Sequence, residues 1–208
     1  MWYMLNPYTH AEFLKSAARV DQLPTDRGYE VAFAGRSNAG KSSALNSLTS
    51  NRRLARTSKT PGRTQLINLF TVQDEEHRLV DLPGYGYAKV ALQTKKDWQE
   101  NLAHYLEVRE SLRGLIILMD CRHPLKDSDQ MLIKWALERG LPIHAILTKA
   151  DKLSRGQMQQ TLQHVKQFLN RLPLSQEEYP HPTVQAFSTL KKQGIEELIT
   201  VLNTWFEW

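Results

Sequence analysis

The sequence predicts a wound α/β fold, a mostly parallel six-stranded sheet with one antiparallel strand and helices on both faces. Three observations carry this reading. Short apolar runs alternate with helix-length segments, the pattern of strands joined by crossover helices. The first such run enters a glycine-bounded loop that opens a helix. The 208 residues, 41% apolar and 24% charged, have the make-up of one ordinary globular unit.

Residues 1–28 read as an N-terminal extension packed on a main unit spanning 29–208. Within it, Thr9 would cap a short helix through Ala18, ended by Leu23-Pro24. Val31-Ala32-Phe33-Ala34 is a continuous apolar run, the mark of a buried strand, and a helix follows from about Lys41 to Leu48. Residues 49–64 are polar and basic with Pro61-Gly62 as a breaker, so they form a loop. Strands at Gln65–Val72 and Arg78–Asp81 would pair antiparallel across Asp74-Glu75-Glu76. Pro83-Gly84-Tyr85-Gly86-Tyr87 must be irregular. A helix near Lys95–Ser111, a strand at Gly114–Met119, a helix at Asp127–Glu138 and a strand at Ile143–Leu147 follow. A helix near Arg155–Leu172, a strand at Thr183–Phe187 and a helix at Ile195–Phe206 close the chain.

Composition narrows the setting. The longest apolar run, Leu115–Met119, falls far short of the roughly 20 residues that span a bilayer. The N-terminus meets Glu12 and Lys15 with no signal-peptide core before them. Cys121 is the one cysteine, so an internal disulfide is impossible, and a reducing cytoplasm is expected. With 27 basic against 22 acidic side chains the net charge is +5, which favours polyanionic partners but equally describes a mildly basic surface. The seven histidines show no paired metal-ligand spacing. Trp98, Trp135, Trp205 and Trp208 fall in helical segments and read as packing aromatics.

The chemistry is concentrated in ordered motifs. Gly35-Arg36-Ser37-Asn38-Ala39-Gly40-Lys41-Ser42 fits G-x-x-x-x-G-K-[ST], a pattern that chance produces in roughly one chain per hundred of this length. Such a loop wraps phosphate oxygens with backbone amides, Lys41 neutralises β- and γ-phosphate charge, and the Ser42 hydroxyl suits Mg²⁺. Asp81-Leu82-Pro83-Gly84 is a weaker string, but it ends a strand, where Asp81 would hold Mg²⁺ through water and Gly84 would offer an amide to the γ-phosphate. An Asx turn closing a strand is the alternative there. Thr148-Lys149-Ala150-Asp151 also ends a strand. Its carboxylate can accept from guanine N1–H and the exocyclic amine together, which adenine cannot match, and the Lys149 stem can cover the purine. The competing reading makes Asp151 a helix cap. Arg52, Arg53, Arg56, Lys59 and Arg63 share one loop with no acidic residue between Asn51 and Gln65. That loop would order around γ-phosphate and metal, with Thr60 or Thr64 giving a second hydroxyl.

Together with Lys59-Thr60-Pro61-Gly62-Arg63-Thr64-Gln65, Asp81 through Tyr87, Asp120 through Asp127 and Phe187 through Gly194, these motifs resemble the EngB (YihA/YsxC) family of bacterial ribosome-assembly GTPases, of the translation-factor class. The resemblance implies a cytoplasmic, monomeric GTPase that binds GTP and GDP, acts on the large-subunit precursor and its rRNA, and supports septation and cell division. It implies nucleotide contacts at Gly35 to Ser42, at Gly62, Arg63, Thr64, Gln65 and Leu66, at Asp81 to Gly84, at Thr148 to Asp151 and at Phe187, Ser188 and Thr189. Mg²⁺ would sit on Ser42 and Thr64, and Lys41, Thr64, Gly84 and Asn38 would serve hydrolysis. Asn38 either helps hold K⁺, as in related GTPases, or simply tolerates a tight turn. Thr148 replaces the Asn usual in N-K-x-D, which predicts a weaker tether to the phosphate loop. Tyr85 stands where Ras-like proteins orient water with Gln, so slow hydrolysis is expected. A P-loop small-molecule kinase, which leaves T-K-A-D unexplained, and a nucleotide-gated binding module with negligible turnover are the rival readings.

Overall fold

The computed structural model describes residues 6–55, 66–85, 92–174 and 179–208. The strands are β1 (Glu12–Ala17), β2 (Tyr29–Gly35), β3 (Ile67–Val72), β4 (Asp74–Asp81), β5 (Leu112–Asp120), β6 (Ile143–Thr148) and β7 (Thr183–Ala186). The helices are α1 (Lys41–Leu48), α2 (Leu92–Val108), α3 (Asp127–Glu138), α4 (Arg155–Asn170) and α5 (Ile195–Phe206). They build one sheet in the order β1-β3-β4-β2-β5-β6-β7. Neighbours from β4 to β7 pair in parallel, and β3 runs antiparallel to both β1 and β4.

The alternation along β2 shows why helices cover both faces. Ala32 and Ala34 join the core layer under α2, α3 and α4, whereas Val31 and Phe33 join the layer under α1 and α5. Successive side chains of a strand point to opposite faces, so a continuous apolar run requires two covered faces. The helices supply the stripes that fit: Leu132, Ile133, Ala136 and Leu137 from α3 on one side, and Leu198, Leu202 and Phe206 from α5 on the other.

Seven strands rather than six come from a correction near the N-terminus. The helix expected from Thr9 to Ala18 is a single tight turn, Pro7–His10, followed by strand β1. A lone helix of that length, without a long apolar stripe, is marginal in water. The open edge of β3 offers the backbone a ladder instead, from Glu12 opposite Thr71 to Ala17 opposite Ile67 with one register break between Phe13 and Lys15. Phe13 meets Phe70 edge-on, ring centroids 6.1 Å apart. The β3–β4 reversal is also tighter than expected. Gln73 turns the chain with φ of 63°, and Asp74, Glu75 and Glu76 belong to β4.

At the end of the sheet away from the motif loops, Glu30 is fully buried. Arg109 donates to its two carboxylate oxygens at 2.9 and 2.7 Å, Tyr105 donates at 3.1 Å, and Arg78 Nε lies 3.1 Å away. Asp26 accepts the backbone amides of Glu110 and Ser111 at 2.9 Å each. Two carboxylates and two guanidinium groups thus balance, which a buried charge requires, and they fasten the chain after α2 to β2.

Candidate nucleotide site

The motif loops all leave the carboxyl ends of parallel strands, where open α/β sheets place their ligands. The loop after β2 turns on Gly40, whose φ of 92° is the left-handed region glycine enters without a steric penalty. A side chain at Gly35 would bring its Cβ within 2.8 Å of the Leu118 carbonyl, so glycine there lets β2 and β5 run close beneath the loop. Asn38 also has positive φ, 63°, which gives its turn role a geometric basis.

The Lys41 ammonium contacts the Asp81 carboxylate, joining the start of α1 to the end of β4. The turn after Asp81 is laced to the phosphate-type loop: Leu82 N donates to Phe33 O at 3.0 Å, Tyr85 N to Gly35 O at 3.2 Å, and Ser37 N to Tyr85 O at 2.9 Å. These bonds extend the β2–β4 ladder to an Arg36–Tyr85 bridge, which places Gly84 directly against Ser37. Arg36 does not face the loop's concave side. Its guanidinium pairs with buried Asp129 of α3 at 3.2 Å and donates to His123 O at 2.7 Å.

Thr148 is the main surprise. Its hydroxyl lies 2.6 Å from the Ala39 carbonyl, with the Met119 carbonyl at 3.2 Å, both buried. The tether expected to weaken with threonine is therefore made directly, because the short side chain leaves β6 right under the loop. Lys149, at φ of 59°, reaches back to the Asn38 carbonyl at 2.8 Å and to Asp120 at 2.9 Å. Asp120 belongs to the Asp120–Asp127 string of the sequence and is not among the site residues its motifs pick out. Arg122 donates to it from Nε at 2.9 Å and Nη2 at 2.7 Å, and these bonds with Lys149 hold its carboxyl well below the usual carboxylate range.

Asp151 follows on a short turn. Ser188 Oγ donates to its Oδ1 at 2.6 Å, and that bond is the main cause holding its carboxyl below the ordinary range. Lys152 Nζ lies 3.6 Å from the other oxygen. The Phe187–Gly194 loop is brought here by β7: Phe187 N donates to Leu147 O at 2.9 Å and Ala150 N to Phe187 O at 3.1 Å. Phe187 and Ser188 are buried, whereas Thr189 is exposed. Leu66 is described, directly before β3, but Gly62, Arg63, Thr64 and Gln65, with Arg56, Lys59 and Thr60, lie outside the described residues. Among the described residues no cluster of three His, Cys, Asp or Glu side chains could hold a metal on its own, and no helix is long and apolar enough to cross a membrane.

What sequence reasoning missed is the Arg36–Asp129–Tyr85 contact. Tyr85 is almost fully buried and its hydroxyl donates to Asp129 Oδ1 at 3.0 Å. The phenol thus points into the core layer under α3, not along the loop surface. No local signal in the sequence links position 129 to positions 36 and 85.

Residues 30–149 match the family described as "50S ribosome-binding GTPase". The chain is 55% identical over 201 residues to the "Probable GTP-binding protein EngB" of Hydrogenovibrio crunogenus, covering 97% of this chain and 92% of that protein. It is 56% identical over 203 residues to the protein of the same name from Alteromonas mediterranea, covering 96% and 91%. Among solved structures, a crystal structure of a probable GTP-binding protein EngB superposes with a TM-score of 0.68 at 21% identity, covering 86% of this chain and 98% of that one. Aquifex aeolicus Era bound to GDP and aluminium fluoride superposes with a TM-score of 0.65 at 18% identity, covering 86% and 57%, a likeness of fold. A P-loop, a D-x-x-G turn and a T-K-x-D loop meeting at one edge of the sheet, in a chain that shares more than half its residues with these relatives, make it a member of the EngB family of GTP-binding proteins and a GTP-hydrolysing enzyme.

Proposed function

We propose that this GTPase acts as a nucleotide-dependent switch in large ribosomal subunit assembly, in the cytoplasm, as a monomer, and that normal septation and cell division depend on it. The family description, "50S ribosome-binding GTPase", supports the ribosomal reading. The site supports guanine-nucleotide recognition. Asp151, oriented by Ser188 at 2.6 Å, presents a charged acceptor for the paired donors of guanine, and Lys149 lies alongside to cover the ring.

Gly35 to Ser42 form the phosphate cradle. The Ser37 and Ala39 amides already donate to Tyr85 O and Arg36 O, so these two residues act through the loop's shape. The amides of Asn38, Gly40 and Lys41, with the Lys41 ammonium, stabilise charge that develops on the phosphates. Gly84 offers its amide to the γ-phosphate, and Thr64 contributes with the loop of Gly62, Arg63, Gln65 and Leu66. The residues present fit Mg²⁺. The Lys41–Asp81 contact brings the cation a triphosphate needs and the carboxylate a hydrated metal needs to one point beside Ser42. Ser42 and Thr64 would hold the ion, which neutralises charge on the β- and γ-phosphate oxygens. Asn38 would hold K⁺ beside them.

Arg52 and Arg53 are exposed, and the turn that carries them is clamped by Asn46, whose side chain donates to the Arg52 and Ala55 carbonyls at 3.1 and 3.0 Å. This fixed pair begins the basic loop that would touch rRNA phosphates. The test is binding of purified large-subunit precursor particles with GTP analogue, GDP and no nucleotide across a salt series. Tighter binding with the analogue is expected. Neutralising Arg52 and Arg53 should lower the salt slope by about one for each phosphate that the variant leaves unneutralised. Equal affinity in all three nucleotide states removes the switch.

A further inference from the structure

Asp129 lies on α3, 93 residues after Arg36 and 44 after Tyr85, yet it touches both. Its side chain is fully buried, and a buried carboxylate costs several kcal/mol unless each oxygen is well partnered. Three segments supply the partners. Arg36 Nε lies 3.2 Å from both oxygens, the Tyr85 hydroxyl donates to Oδ1 at 3.0 Å, and the Lys126 amide donates to Oδ2 at 3.0 Å. The Lys126 bond alone would satisfy a carboxylate near the start of α3 at the surface, with no need for burial. The other two partners are the residues immediately after Gly35 and immediately after Gly84, the glycines that open the phosphate loop and end D-x-x-G.

We propose that Asp129 is a positioning residue for GTP hydrolysis, holding the entrance of the phosphate loop and the Gly84-Tyr85 step in one register and keeping the Tyr85 phenol away from the γ-phosphate. This rests on the reading of Gly84 as a γ-phosphate contact. The Gly84 amide is aimed by the peptide planes on either side of it. Tyr85 N anchors the plane after Gly84 to Gly35 O at 3.2 Å, Tyr85 O anchors the next plane by accepting from Ser37 N at 2.9 Å, and the Tyr85 phenol reaches Asp129. Any swing of Gly84 has to break that clamp. Because GDP has no γ-phosphate, the Gly84 side of the clamp acts on GTP binding and turnover, and the ratio of analogue to GDP affinity isolates it.

The test uses Asp129→Asn, Tyr85→Phe and the pair combined, with affinities for GDP and a non-hydrolysable GTP analogue, single-turnover hydrolysis at saturating GTP, and thermal midpoints. GDP affinity should stay within about threefold of wild type. The analogue-to-GDP affinity ratio and the single-turnover rate should each fall about tenfold, the scale of a misaimed stabilising donor. The double variant should be no worse than Asp129→Asn, since both act through one contact. A lowered midpoint with wild-type ratio and rate, or an equal loss for both nucleotides, overturns the proposal and leaves Asp129 a core residue. If Asp129→Asn does not fold, Tyr85→Phe, which removes a single oxygen, carries the same test. Gly84→Ala, whose added Cβ meets only ordinary contacts, separates the two readings: a wild-type analogue-to-GDP ratio and rate there refute the γ-phosphate contact, whereas their loss alongside unchanged Asp129 variants refutes only the clamp.

Discussion

Thr148 and Ala39 stand 109 residues apart in sequence and 2.6 Å apart in space, hydroxyl to carbonyl, in a buried bond between the end of β6 and the phosphate loop. The strand-end motif after β6 therefore supports the one after β2 from beneath. Thr148→Val keeps the volume and deletes the donor, leaving the Ala39 carbonyl short of a partner, at a cost of about 1–3 kcal/mol. GDP affinity should fall about tenfold, while Thr148→Ser stays near wild type. Equal affinities for the valine and serine variants by titration calorimetry would refute the tether.

Base choice should titrate with Asp151. Its carboxylate must be charged to accept two donors, and the Ser188 hydroxyl lowers its pKa. Ser188→Ala removes that bond, so the acid limb of GDP binding should move to higher pH, with affinity near pH 8 changed less than at pH 5. Lys152, 3.6 Å away, is the other charged group facing it and is untouched in this variant. Asp151→Asn should exchange guanine preference for xanthine, read by competition between GDP and xanthosine diphosphate.

His144 predicts how stability depends on pH. It is buried between Thr183 Oγ1 and Gln185 Oε1, each 2.7 Å from a ring nitrogen, and burial pushes its pKa below the ordinary value near 6.5. The unfolded chain takes up a proton that the folded chain refuses. Stability from this group is thus complete above 6.5 and declines as pH falls from there toward the folded value. Urea unfolding between pH 7.5 and 5 should show this slope, and His144→Gln should flatten it at a cost of roughly 1 kcal/mol at pH 7.5. An unchanged slope would assign the acid sensitivity elsewhere.

Asn38 gives the ion test. Turnover should be slow in sodium and faster in matched potassium, with the difference lost in Asn38→Ala. The φ of 63° at Asn38 means that alanine also strains the turn, so Asn38→Gly is the control that relieves it. Equal wild-type rates in the two salts, on free and particle-bound protein, would leave Asn38 a turn residue.

The parallel strands and their helices were legible because buried runs such as Leu115–Met119 have no alternative to a two-sided core, and α3 and α5 begin and end where their periodicity does. The strand-end motifs were legible because their chemistry is local, each needing only a few adjacent residues. What was hidden depends on partners distant in sequence. Glu12–Ala17 has no strong pattern of its own and becomes a strand because β3 offers an edge. Thr148 looked like a weakened asparagine because nothing local says how close Ala39 lies. Asp129 reads as an ordinary helix-start carboxylate until Arg36 and Tyr85 arrive beside it.

The sheet order also bears on synthesis. β1 precedes the other described strands, but its pairing partner Thr71 lies 59 residues after Glu12. At about 5–20 residues per second, this strand waits roughly 3–12 s for β3 to emerge. Glu12 and Lys15, both exposed, and the register break between Phe13 and Lys15 are features that discourage a strand from pairing with strangers. Its place at the outer margin means that β2, β4 and β5 can pair with one another without it.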